Sequence, residues 1–158
     1  MPLLFARQIA VASIALLPLS AAAFASEAQA LEIEIVRSGI YELERGSSEG
    51  PTLLALTTVI PAELGNEFGF EFNVRGTDAG LPVELTLVTE FPSRGLYEPE
   101  TRKIVFRDER TFRSVSELRG YQGYKLDSPS ELVLGTWTFK ILYRDQLLAT
   151  QSFVLVPP

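Results

Sequence analysis

Carboxylates and phenols carry most of the chemistry open to this 158-residue chain, which has 20 Asp and Glu and five Tyr but no His and no Cys. Without histidine the usual general base is missing, and without cysteine as well both common soft metal ligands are gone. Ser-His-Asp catalysis, Cys-His catalysis and ordinary zinc sites are therefore excluded. No glycine-rich loop has the spacing that cradles phosphate. A pair of acids flanking a cleft could still hydrolyse a glycosidic bond. Glu98 and Glu100 fall on one side of an extended chain, as do Glu42 and Glu44. With 18 other acidic residues present, such spacings arise by chance and solvated faces explain them. No D-x-D-x-D loop supports calcium either. The expectation is no catalytic residue, no metal site and no cofactor.

Binding is the more promising chemistry. Tyr97, Tyr121 and Tyr124 fall in a loop-rich portion of the chain, where a ring with a polar tip can stack on a sugar or anchor an interface. The commoner role of such rings is to cap the ends of a core.

The elements that would position these residues are strands. In Gly135 to Pro158, Trp137, Phe139, Ile141 and Tyr143 fall two apart and share one face. A short polar turn at Arg144, Asp145 and Gln146 precedes a second apolar run, Leu147 to Val156, so the segment reads as a β-hairpin. Glu67 to Arg75 alternates in the same way, and Phe68, Phe70 and Phe72 on one face form a core rather than a cofactor box. Gly65 suits a turn that a Cβ would oppose. Gly69, on the outward side of the phenylalanine strand, suggests a bulge or the close approach of another backbone. Further strands are expected over Leu31 to Val36, continuing or bending through Gly39 to Tyr41, over Thr52 to Ile60 with Pro61 ending the pairing, over Pro82 to Phe91, and briefly over Lys103 to Arg107. Phe112 to Leu118 fits an edge strand or one turn of helix, and Gly120 to Leu126 a loop leading into a short strand. About seven to eight strands separated by turn formers predict an all-β chain, a single two-sheet sandwich of immunoglobulin-like kind.

The first residues read as an address. Arg7 gives a weak positive region, Ile9 to Leu19 an apolar run too short to span a bilayer, and Ala23-Phe24-Ala25 a cleavage site. Residues 1–25 are thus expected to be a signal peptide, with cleavage after Ala30 as the alternative and residues 31–158 as the folded domain. A buried helix is a poorer account, because the run is apolar all round. The mature chain would have no membrane span and would reside in the periplasm or outside the cell, held together by its core without disulfides. Removing Arg7 changes the net charge from −6 to −7. Ser26 to Glu90 carries 3 basic and 12 acidic residues, while Phe91 to Arg119 carries 7 and 5. Opposite charges on neighbouring strands account for that asymmetry. An acidic chain would repel a phosphate backbone, which argues against nucleic acid as a partner.

Three stretches carry a resemblance: Gly39-Ile40-Tyr41, the run Thr57 to Gly69 (TTVIPAELGNEFG), and Gly135-Thr136-Trp137-Thr138-Phe139. Together they resemble a family of exported bacterial proteins described as domain of unknown function 3859. The resemblance runs from about Leu31 to Val156. It implies one sandwich domain in the cell envelope, and it transfers no catalytic residue. The G-x-W-x-F stretch also resembles the G-x-Y that opens the penultimate strand of many immunoglobulin-like domains. Phe139 stands where antibody domains have a cysteine, so their inter-sheet disulfide is absent. The combined expectation is a non-enzymatic interaction or assembly module of the envelope with a protein partner. A glycan-binding module using Tyr97, Tyr121 and Tyr124 is the alternative, and a carboxylate-only hydrolase is third.

Overall fold

A computed structural model describes residues 30–43 and 50–158. The expected signal segment with its cleavage at Ala25, and Glu44 with the glycine-serine stretch after it, lie outside the described residues. The described chain is all-β apart from a single short 3-10 turn, Pro129–Glu131. Its eleven strands exceed the seven to eight expected, and the extra ones arise where the sequence suggests loops or a single longer strand.

One sheet has the order β2-β1-β4-β9, with β1 Glu32–Glu42, β2 Thr52–Leu56, β4 Glu67–Arg75 and β9 Arg119–Lys125. The facing sheet has the order β3-β11-β10-β5-β8, with β3 Val59–Pro61, β5 Pro82–Glu90, β8 Arg107–Val115, β10 Gly135–Tyr143 and β11 Gln146–Val156. A two-stranded ribbon, β6 Leu96–Glu98 and β7 Lys103–Val105, stands at the end near the 3-10 turn. Period-two alternation puts Phe68, Phe70, Phe72 and Val74 of β4 against Trp137, Phe139 and Ile141 of β10, all buried in one apolar cluster. The Phe68 ring meets Trp137, Phe139 and Phe153 edge-on, with centroids 5.2 to 5.9 Å apart. Trp137 also donates its indole N–H to the Val133 carbonyl at 2.9 Å, which satisfies the one polar atom it carries into the core.

The structure corrects three expectations. The stretch 52–60 is two strands in two sheets: β2 pairs antiparallel with β1, and β3 pairs parallel with β11. The chain crosses at Thr57, whose hydroxyl receives the Val59 N–H at 3.0 Å and bends the backbone locally. Pro61 is the last residue of this short edge strand, opposite Val156, so the pairing ends there as expected. The helical alternative for 112–118 fails because Phe112 to Val115 complete a nine-residue edge strand with β5. Finally, Gly120 to Lys125 is strand rather than loop. Gly120 and Gly123 leave room there for the Phe72 and Tyr121 rings to lie against the backbone.

The bend in β1 is a bulge between Ile35 and Arg37. It reverses the alternation, so Ile33 and Ile35 face the core while Arg37, Gly39 and Tyr41 face outward.

Candidate functional site

Two regions outside the core bring polar or aromatic side chains together. The first covers the outer face of the β1-β4-β9 sheet. Gly39, Gly69 and Gly123 stand in register across these three strands and form a row without side chains. A Cβ on Gly69 would collide with the Gln122 carbonyl and lie 2.7 Å from the Gly123 Cα. Gly69 therefore marks close backbone approach, and the β1 and β9 registers pass through it without a bulge. The Tyr121 ring lies over Gly69 and Gly123, tilted against Tyr41 with centroids 4.8 Å apart.

Two carboxylates are buried beside these rings. Glu67 receives the Tyr121 hydroxyl at 3.0 Å. Glu71 receives Arg37 Nε at 2.8 Å, and Arg119 Nη1 stands 3.3 Å from its other oxygen without hydrogen-bond geometry. The Tyr41 hydroxyl donates to the Arg37 carbonyl at 3.3 Å. Burial, then the negative charge of Glu71, pushes the Tyr41 phenol up to about 12. Burial, then Glu67, pushes Tyr121 up as well. Each charge here has a counter-charge or a donor, so the cluster closes the sheet face and offers no free acid or base.

The second region is the ribbon β6–β7 and the cleft beside it, of about 380 Å³. Tyr97 sits opposite Ile104 in the ribbon, and Phe106 follows two residues on. These side chains are 46%, 57% and 57% exposed. Ile104 and Phe106 fold down over Gly95, whose φ of +69° is left-handed and whose missing Cβ would run into Ile104 and touch Phe106. Tyr124 lines the floor of the cleft, with its ring 4.9 Å from Trp137 and its hydroxyl donating to Glu131 at 3.0 Å. Burial, reinforced by Glu131, raises its pKa. The other Glu131 oxygen receives the Asp127 and Ser128 N–H groups at 2.7 and 2.8 Å and caps the 3-10 turn. Glu131 is thus structural.

The three candidate tyrosines do not form one platform. Tyr121 and Tyr124 are three residues apart in a strand and point to opposite faces of the sheet, while Tyr97 and Tyr124 line the same cleft. Glu98 and Glu100 also line it, with Glu98 receiving the Thr101 hydroxyl at 2.9 Å. Glu42 is exposed at the end of β1. Among the described residues no group of three acidic side chains is placed to hold a metal ion. Ile104 and Phe106 are the surface residues that sequence reasoning misses, because in sequence they look like the apolar half of any short strand. Gly95, nine and eleven residues before them, gives no local hint of them.

The family profile described as Domain of unknown function (DUF3859) matches residues 29–155. Among solved structures, the chain is similar to the crystal structure of an immunoglobulin-like protein from Pseudomonas aeruginosa. The identity is 26% and the TM-score 0.65, over 82% of this chain and 99% of that one. No curated protein matches.

Proposed function

This chain belongs to the family described as Domain of unknown function (DUF3859), and from that premise we propose that it is an exported, non-enzymatic interaction module of the bacterial cell envelope whose contact surface is the β6–β7 ribbon. One observation carries the reading: Tyr97, Ile104 and Phe106 present a contiguous apolar surface to solvent on a strand ribbon braced by the core. Aromatic and aliphatic groups displayed together and rimmed by polar residues are the usual anchors of a protein interface. The adjoining cleft is acidic, lined by Glu98, Glu100 and Asp108, while Lys103 stands opposite Glu98 on the ribbon itself. The partner that fits is a protein surface with apolar side chains flanked by Lys or Arg. The leading apolar segment supports export, and the immunoglobulin-like fold is one that commonly presents binding surfaces on loops and ribbons at its ends.

The test is a photo-crosslinking amino acid at position 104 in the full chain expressed in its own host. A cross-linked species of one defined partner, lost when Phe106 is changed to Ser, supports the reading. Absence of any cross-link from position 104 and from position 97 overturns it.

A further inference from the structure

The two sheets have four edges, and three of them suit strand addition poorly. β3 is three residues long and ends in Pro61, β2 is five residues with an irregular register at Ile40 and Tyr41, and β9 carries two glycines. β8 differs. It runs nine residues, Arg107–Val115, against β5 without a register shift. Its free side can be assigned from the pairing. The Phe91 N–H bonds the Phe106 carbonyl directly opposite at 2.9 Å, and the Ser116 N–H bonds the Leu81 carbonyl at 3.1 Å. Hydrogen-bonded and non-bonded pairs alternate in an antiparallel ladder. The even-numbered residues of β8 therefore bond β5, while the N–H and C=O groups of Arg107, Glu109, Thr111 and Arg113 point away from it. These groups have no strand partner among the described residues. Even-numbered side chains turn inward, with Phe112 on Phe72 and Arg110 donating to Gln122. Odd-numbered ones lie on the outer face, where Arg107 pairs with Glu109 and Arg113 stands 3.8 Å from Glu84.

We propose that β8 is a dimerisation edge, taking the β8 strand of a second copy of this chain in antiparallel register about Thr111. Charge complementarity selects this occupant. With Thr111 facing its own counterpart, Glu109 of each copy lies opposite Arg113 of the other, giving two equivalent ion pairs related by the two-fold axis. The inward side pairs Asp108 with Ser114 and Arg110 with Phe112, so no like charges meet. The outer rows continue the complementarity, because Arg113 already lies opposite Glu84 and Thr111 opposite Thr86 within each copy. Backbone alternation permits only slips of two residues. A slip one way sets Arg110 against Arg110 and Arg107 against Arg113, and a slip the other way loses both ion pairs. Charges on an edge ordinarily discourage pairing. Here their order favours one register over the two adjacent ones, which turns a general protection into specificity. The partner supplies what the edge lacks, and the two five-stranded sheets become one continuous sheet.

The experiment is sedimentation velocity on the mature chain over a concentration series into the millimolar range, with thermal melts to report folding. The wild type dimerises. Glu109→Arg or Arg113→Glu alone raises the dissociation constant about tenfold or more, since each change places like charges opposite one another twice. The double change restores dimerisation by exchanging the two signs. Thr111→Pro keeps the β5 ladder, because the N–H it removes faces away from β5, and it abolishes the dimer. If a single reversal fails to fold, the double variant and Thr111→Pro decide the matter. A wild type that stays monomeric throughout, or a dimer indifferent to Thr111→Pro and to the charge exchange, overturns the proposal. Neither result bears on the ribbon surface.

Discussion

The Tyr41–Tyr121 pair and the Tyr97–Ile104–Phe106 group both lie outside the core, and both rest over glycine. They end in opposite states. Tyr41 is 2% exposed, and its hydroxyl and that of Tyr121 both find acceptors, while Glu67 and Glu71 are held by Tyr121 and Arg37. The ribbon group is about half exposed, and Ile104 and Phe106 have no polar atom in their side chains to satisfy. The difference shows what each arrangement can be for. A ring pair whose hydroxyls both donate within its own sheet has no free donor to offer a ligand, whereas an apolar group left in water gains free energy only when something covers it.

The interior supplies the scale on which to break the comparison. Trp137, fully buried, hydrogen-bonded and in contact with the rings of Phe68, Phe91 and Tyr124, should cost about 3 to 5 kcal/mol when truncated to Ala. Urea unfolding measures it, and a variant as stable as wild type would remove Trp137 from the centre of the fold. Gly69→Ala comes next. Its Cβ would meet backbone on β9, which cannot rotate aside as a side chain can, so about 1 to 3 kcal/mol is expected. A neutral Gly69→Ala would mean that the strands β4 and β9 are free to separate and that Tyr121 is no lid.

How much of this was legible in sequence follows from where the cause of each feature lies. Phe68 to Val74 and Trp137 to Ile141 announce their strands because alternation is written within a single segment. The bulge after Ile35 and the passage between sheets at Thr57 depend on partner strands distant in sequence, and nothing near them marks the change. Gly120 and Gly123 mislead for a physical reason: glycine marks loops, but it also marks places where a ring must lie flat on a strand. That ambiguity hides β9, and with β9 hidden, Tyr121 and Tyr124 look like neighbours in a loop instead of residues on opposite faces. Of the ribbon surface only Tyr97 can be picked out, since exposure of Ile104 and Phe106 is a property of what fails to cover them.

The buried phenols also predict a pH response. Tyr41, Tyr121 and Tyr124 all have phenols harder to ionise in the folded protein than in the unfolded chain, where the ordinary value is 10.0. Their stabilising contribution is complete below about pH 10. Above it the unfolded chain loses protons first, and stability falls as pH climbs, for Tyr41 through about 12. Melting temperature should therefore drop between about pH 10 and about 12, and Tyr41→Phe, which removes one ionisable phenol, should flatten the slope. An unchanged slope in that variant would show that Tyr41 ionises as freely folded as unfolded.

The smallest effect on stability should come from the open surface, and there it is the disparity that matters. Ile104 and Phe106 are each more than half exposed, so Ile104→Ser and Phe106→Ser should change unfolding free energy by no more than about 0.5 kcal/mol. An interface anchor truncated in the same way loses about 2 kcal/mol or more of binding, enough to abolish capture of a partner of moderate affinity. A residue that matters to stability and binding alike would belong with Tyr41, as part of the fold's own closure. One that matters to neither is an ordinary exposed side chain. Only the combination of a near-wild-type melt and a lost cross-link separates the ribbon from both, because burial by a partner is then the one remaining source of its effect.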